Sequence, residues 1–62
     1  MPKVYSDKEL EAMSNGELYV AEIEWARELS KAMTTFRVSQ CRRMVDRIRR
    51  EVERREDARE PR

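Results

Sequence analysis

Four arginines in the C-terminal half of the chain have the spacing of one helical face. Arg43, Arg47, Arg50 and Arg54 follow one another at intervals of four, three and four residues. At about 100° per residue they lie within roughly 60° of one another. A guanidinium is planar and permanently charged, and its N–H groups match the geometry of a phosphate. We therefore take these four residues, the arginine stripe, as candidate contacts to a nucleic-acid backbone.

Two other interpretations of the arginine stripe remain open. Arginine is a good helix former, so the stripe can be an ordinary solvated face, and it can also dock on a protein. The nearest acids on the predicted helix, Asp46, Glu51, Glu53 and Asp57, fall to the sides of the stripe. Because no carboxylate of this helix is expected within it, we favour phosphate binding.

The remaining residue types offer little for catalysis. The chain has no histidine, so histidine-based acid–base chemistry and histidine-rich metal sites are excluded. Cys41 lies among apolar residues without a basic partner, which is typical of a buried structural thiol. The single glycine cannot form a phosphate-binding loop. We expect no enzymatic activity, no cofactor, no metal and no small-molecule substrate.

Three helices are expected to position these side chains, which gives an all-α fold. Ser6 with Glu9 and Ser14 with Glu17 have the S-x-x-E spacing of a capping box. Thr34 and Thr35 are also good helix caps and predict a turn before the third helix. The predicted helices run from Asp7 to about Met13, from about Asn15 to Met33 and from about Arg37 to Asp57.

Apolar residues at helical spacing predict how the two long helices pack. The third helix carries an apolar seam formed by Val38, Cys41, Val45, Ile48 and Val52. The second carries an inner stripe of Leu18, Ala21, Trp25, Leu29 and Ala32, flanked by Ala26 and Met33. We interpret Trp25 as a core anchor rather than a platform for base stacking. These patterns favour an antiparallel helical hairpin, with Phe36 covering its end.

The chain is short for a self-sufficient core. Its 62 residues make one small domain, residues 1–62, with a flexible arm at 1–5 and a frayed tail at 58–62. About a dozen large apolar side chains bury too little area to offset the ordering of the chain. We therefore expect a small bundle completed by self-association or by other protein subunits. The predicted partner interface comprises Tyr19, Val20, Ile23, Val45, Ile48 and Val52.

Charge is distributed unevenly along the sequence. Residues 1–36 contain four Lys or Arg and seven Asp or Glu, whereas residues 37–62 contain ten Arg and six Asp or Glu. Only the second half is typical of a polyanion-binding surface. The sequence contains no apolar run long enough to span a bilayer, and we expect a cytoplasmic protein without a membrane partner.

A set of residues between Glu17 and Val52 matches a known pattern. The set comprises Ala21-Glu22, Ala26 and Leu29, followed by Thr34-Thr35, Ser39-Gln40, Arg42 and Arg43. Through these residues the segment resembles the small α-helical subunit of type III CRISPR effector complexes. It departs from that family because Phe36-Arg37-Val38 separate the Thr pair from Ser39-Gln40. The resemblance implies a non-catalytic subunit of an antiviral ribonucleoprotein that contacts guide–target RNA through phosphates and also contacts neighbouring subunits.

Two further functions are compatible with the same helices. A helical hairpin of this size can be a protein-interaction or regulatory module, such as a small phage-type regulator, that oligomerises or docks on a protein target. The segment from Val38 to Arg54 can also be the recognition helix of a helix-turn-helix-like DNA-binding protein, although the turn lacks the usual glycine.

Overall fold

Three α-helices make up the chain in the computed structural model, which describes the backbone of residues 2–59 and the side chains of residues 2–58. Helix α1 spans Asp7–Ala12, α2 spans Asn15–Lys31 and α3 spans Thr35–Arg59. No strand occurs among the described residues. The predicted all-α class is therefore confirmed.

Reciprocal caps begin the first two helices, as the sequence predicts. Ser6 Oγ accepts a hydrogen bond from the backbone N–H of Glu9 at 3.2 Å, and Glu9 Oε1 accepts one from the Ser6 N–H at 3.0 Å. Ser14 and Glu17 repeat the arrangement at 3.2 and 2.8 Å. These bonds satisfy backbone donors that the first helical turn leaves unpaired.

The turn between α2 and α3 comprises residues 32–34 and lies two residues earlier than the sequence predicts. Helix α2 ends at Lys31, and Ala32 adopts an extended conformation with φ −66° and ψ 131°. Thr34 Oγ1 accepts a hydrogen bond from the Arg37 N–H at 3.2 Å. This cap starts α3 two residues earlier than expected. At its other end α3 continues to Arg59, two residues beyond the predicted end, whereas residues 60–62 of the predicted tail lie outside the described part of the chain.

Two apolar residues near this turn do not contribute to the core. Met33 is 95% exposed and Phe36 is 72% exposed. The expectation that Phe36 covers the end of the helices is therefore wrong, and so is the inward position expected for Met33. Ending α2 at Lys31 leaves Met33 outside the helix, and starting α3 at Thr35 places Phe36 on its outer side.

The core lies where α1, α2 and α3 meet. Its eight buried apolar residues are Leu10, Leu18, Ala21, Trp25, Cys41, Met44, Val45 and Ile48. The partly buried residues packed against them are Tyr5, Met13, Leu29 and Val52. The predicted seam thus supplies most of α3's contribution, and α1 adds Leu10 to the same core.

Trp25 joins the N-terminal residues to the middle of α2. Its side chain is fully buried, and Nε1 donates a hydrogen bond to the backbone oxygen of Lys3 at 3.0 Å. The interpretation of Trp25 as a core anchor is therefore confirmed. The described residues before α1 have no regular secondary structure, but this bond and the packing of Tyr5 hold them against the helices.

Polar contacts connect α2 and α3 along their whole length. Arg37 pairs with Glu28, Arg49 pairs with Glu22, and Arg55 donates a hydrogen bond to Asn15 Oδ1. Residues progressively later in α3 thus meet residues progressively earlier in α2. Within the described range, no helix has the length and apolar character required to cross a membrane.

Candidate nucleic-acid interface

The arginine stripe runs along one side of α3 and divides into two pairs. Arg43 and Arg50 are exposed, and neither side chain makes a hydrogen bond or ion pair with a described residue. They are two helical turns apart, a rise of about 10 Å. Their guanidinium groups are available to an external anion.

Arg47 is engaged by the first helix. Its Nε and Nη2 atoms donate hydrogen bonds to Asp7 Oδ1 at 3.2 and 2.7 Å. The side chain of Arg47 is 35% exposed and that of Asp7 is 86% exposed. Because α1 lies beside the stripe, an acid from outside α3 occupies a position that the helical wheel of α3 leaves free of carboxylates.

Arg54 pairs with a buried acid on its own helix. Its Nη2 and Nε atoms donate to the two carboxylate oxygens of Glu51 at 2.6 and 3.2 Å. Arg55 Nε donates to the same carboxylate at 2.8 Å, and Glu51 is only 8% exposed. Hydrogen bonds from Arg54 and then Arg55 lower the pKa of Glu51, and Glu51 in turn raises the pKa of Arg54.

Arg55 connects α3 to α1 through hydrogen bonds. Its Nη2 donates to the backbone oxygens of Leu10 and Glu11 at 3.1 and 3.0 Å, near the C-terminal end of α1. A cation at this end of a helix satisfies carbonyl groups that have no partner within the helix. Together with Asp7 and the buried Leu10, this contact places acidic α1 along the flank of the arginine stripe.

The arginines of α3 outside the arginine stripe behave differently from one another. Arg49 and Arg55 pair with acids, but Arg42 is exposed and has no partner among residues 2–58. Of the i,i+4 pairs Asp46–Arg50, Arg47–Glu51 and Glu51–Arg55 on α3, only the last forms. Asp46 and Arg50 make no pair, and Arg47 turns to Asp7 instead of Glu51.

The electrostatic pattern of α3 is therefore not uniform. Unpaired guanidinium groups lie on its outer side at Arg43 and Arg50 and nearer to α2 at Arg42, whereas Arg47 and Arg54 are neutralised locally. Such a surface can hold phosphate oxygens through two or three charge-assisted hydrogen bonds. An anion at Arg47 has to compete with the Asp7 carboxylate.

The residues predicted as a partner interface are separated by the fold. Val45 is 7% exposed and Ile48 is fully buried, so both lie in the core of the chain itself rather than on a surface. The prediction that they form a partner interface is therefore wrong, because α2 already covers this side of α3. Val52 is half-buried beside the same core. The other three predicted interface residues lie on the outer side of α2 and are exposed: Tyr19 by 66%, Val20 by 53% and Ile23 by 37%.

The described side chains do not assemble another kind of site. Cys41 is fully buried, and no group of three or more His, Cys, Asp or Glu side chains within the described range could hold a metal. Comparison of the chain with family models, curated proteins and solved structures finds no match.

Proposed function

We propose that this chain is a non-catalytic helical subunit that binds the phosphate backbone of RNA through the outer side of α3. The observation that carries the proposal is the pair formed by Arg43 and Arg50, exposed on one face and without an acidic partner among the described residues. Arg42 is a third exposed cation without a described partner, and it lies nearer to α2. In this proposal α2 and α3 form an antiparallel hairpin whose inner faces make the core.

A role as one subunit of a larger ribonucleoprotein accounts for the small number of free arginines. Each phosphate neutralised on a single strand contributes a salt slope of about −0.7. Two or three phosphate contacts give a single chain weak affinity for RNA. When several copies are held together along one RNA, each raises the effective concentration of the next, so the affinity of the assembly is much higher. The resemblance of residues 17–52 to a type III CRISPR small subunit supports RNA as the polyanion and an antiviral assembly as the setting.

The absence of catalysis in this proposal rests on residue chemistry. The sequence has no histidine, and the Cys41 thiol is buried among apolar side chains. The exposed carboxylates lie on helix surfaces, where they ordinarily pair with arginine or water. These features support a binding role rather than a reaction, and they support no small-molecule cofactor.

The deciding experiment compares two double variants with the same loss of charge. Arg43→Ala/Arg50→Ala removes the unpaired arginines of the stripe, and Lys8→Ala/Lys31→Ala removes two exposed lysines elsewhere. Binding to a single-stranded RNA of mixed sequence is measured over a range of salt concentrations. We expect the arginine variant to lose about 1.4 units of salt slope and at least about tenfold in affinity at low salt, with little change in the lysine variant.

Two results would overturn the proposal. One is an equal loss in both double variants, which would reduce the effect to net charge. The other is no RNA binding by the wild-type chain at low salt. Parallel titrations with single-stranded DNA and duplex DNA test whether RNA is the preferred ligand. A preference for one duplex DNA sequence, with a footprint on it, would favour the helix-turn-helix alternative over RNA binding.

A further inference from the structure

We infer that the outer face of α2 is a self-complementary docking surface for a second copy of this chain, with the two α2 helices antiparallel. This inference is independent of RNA binding, because the arginine stripe lies on another helix. It concerns one continuous face of α2, the outer α2 face, formed by Gly16, Tyr19, Val20, Ile23, Ala26 and Arg27.

The outer α2 face is apolar where a solvated helix would be charged. Its residues recur with the spacing of a helical face opposite the buried Leu18, Ala21 and Trp25. Tyr19, Val20 and Ile23 are exposed to between 37% and 66%. Exposed apolar side chains grouped on one face ordinarily mark a contact surface, and the chain itself covers only the opposite face of α2.

Gly16 gives the face a flat end. The chain has no positive-φ glycine within the described range, so the backbone of α2 does not require glycine here. A Cβ at this position would meet nothing nearer than Ser14 Oγ at 4.0 Å, so packing within the chain does not require it either. A glycine in a helix costs about 1 kcal/mol relative to alanine. Its remaining structural use is to let another element approach the backbone closely.

Charge complementarity identifies the occupant as a second copy in antiparallel orientation. A two-fold axis between residues 21 and 22 puts Val20 of each copy level with Ile23 of the other, so the apolar residues meet at the centre. The same axis puts Arg27 of each copy level with Gly16 of the other and beside Glu17. A parallel pair would instead bring Arg27 against Arg27.

Both charged residues are available for this contact. The Arg27 guanidinium has no partner among the described side chains. Glu17 uses Oε1 to accept the Ser14 N–H at 2.8 Å, which leaves its second carboxylate oxygen for an arginine. The hydrogen bonds with Ser14 lower the pKa of Glu17, so the carboxylate stays charged at neutral pH.

Mass measurement with matched variants tests the surface. Light scattering after size exclusion, over a broad concentration range, should give the wild-type chain a mass approaching twice 7.5 kDa. Ile23→Glu should weaken dimerisation at least about tenfold. Met33→Glu should leave it unchanged, because Met33 is exposed but lies off the face. A monomeric wild type, or equal effects of the two variants, would refute the inference. Circular dichroism verifies that each variant is folded.

Disulfide trapping tests the orientation separately. Gly16→Cys and Arg27→Cys are prepared as single variants, and buried Cys41 does not compete for the oxidant. Mixing the two proteins under mild oxidation should give a disulfide-linked heterodimer, because facing Cα atoms of closely packed helices lie within disulfide reach. Cross-linking of Gly16→Cys with itself would indicate a parallel pair and reject the antiparallel register. Absence of any cross-link in the mixture would also reject it.

Discussion

Arg47 donates two hydrogen bonds to a single carboxylate oxygen of Asp7, at 2.7 and 3.2 Å, although 40 positions separate the residues in the sequence. The pair joins the first turn of α1 to the middle of α3. It also occupies a guanidinium that would otherwise continue the row formed by Arg43 and Arg50. The short acidic helix therefore limits how much of the arginine stripe faces solvent uncompensated.

Asp7→Asn should increase the affinity for single-stranded RNA by a few-fold. The substitution removes a carboxylate that competes with phosphate for Arg47. Stability should change little, because an exposed ion pair contributes only about 0–1 kcal/mol. Glu24→Gln is the matched control, since it removes one exposed negative charge on α2. An equal gain in affinity for both variants would trace the effect to net charge and not to the release of Arg47.

Trp25→Phe should lower the free energy of unfolding by about 2 kcal/mol. The smaller ring leaves unfilled volume in the core, and the backbone oxygen of Lys3 loses its donor. Urea unfolding followed by circular dichroism measures the change. Tyr19→Phe, at a side chain that is 66% exposed, should have almost no effect on the monomer. If both variants lose the same stability, Trp25 is not the anchor that its burial indicates.

Ser14→Ala should cost about 1 kcal/mol of stability. The change removes the hydroxyl that accepts the Glu17 N–H, which leaves that backbone donor unpaired, whereas the Glu17 carboxylate keeps the backbone N–H of residue 14 as its donor. Ser39→Ala is the comparison, because Ser39 is exposed inside α3 and alanine is the better helix former. Thermal unfolding of both variants measures the difference. A Ser14→Ala protein as stable as the Ser39→Ala protein would contradict the capping box.

Stability should be lost in acid. In the folded chain, the hydrogen bond and charge of Lys3, followed by the Ser6 N–H, lower the pKa of Glu9 to about 2. The pKa values of Glu17 and Glu51 are lowered as well. The unfolded chain, with glutamate pKa values near 4.3, then binds more protons than the folded one, so stability is fully present above about pH 5 and falls between there and about pH 2.

Urea midpoints across this pH range measure the acid dependence. Glu51→Gln is the informative variant, because glutamine cannot ionise. It should be less stable at neutral pH and should lose part of the slope in acid. A midpoint that stays constant down to about pH 2 would contradict the lowered pKa values.

Local signals in the sequence predicted the starts of α1 and α2, whereas contacts between residues far apart in the sequence were not predictable. The capping boxes at Ser6 and Ser14 join residues three positions apart, so their spacing is visible in the chain itself. The apolar period of α3 identified Cys41, Val45 and Ile48 as buried. Met44 is buried as well, although the apolar period of α3 does not include it.

The composition of the arginine stripe was predictable, but its electrostatic state was not. The helical wheel placed Arg43, Arg47, Arg50 and Arg54 on one face. Only the position of α1 determines that Asp7 pairs with Arg47, and only the fold determines that Arg55 reaches the carbonyl of Leu10. For the same reason Val45 and Ile48, which the wheel left open to a partner, became residues of the chain's own core.

The buried position of Trp25 gives the molecule a built-in optical reporter. It is the only tryptophan of the chain, and its indole lies between the N-terminal residues and the two long helices, away from both proposed binding faces. Its fluorescence should shift to longer wavelength when the core opens and should stay constant when RNA meets α3 or a second copy meets α2. Emission recorded during any titration therefore distinguishes a ligand that binds the folded chain from one that unfolds it.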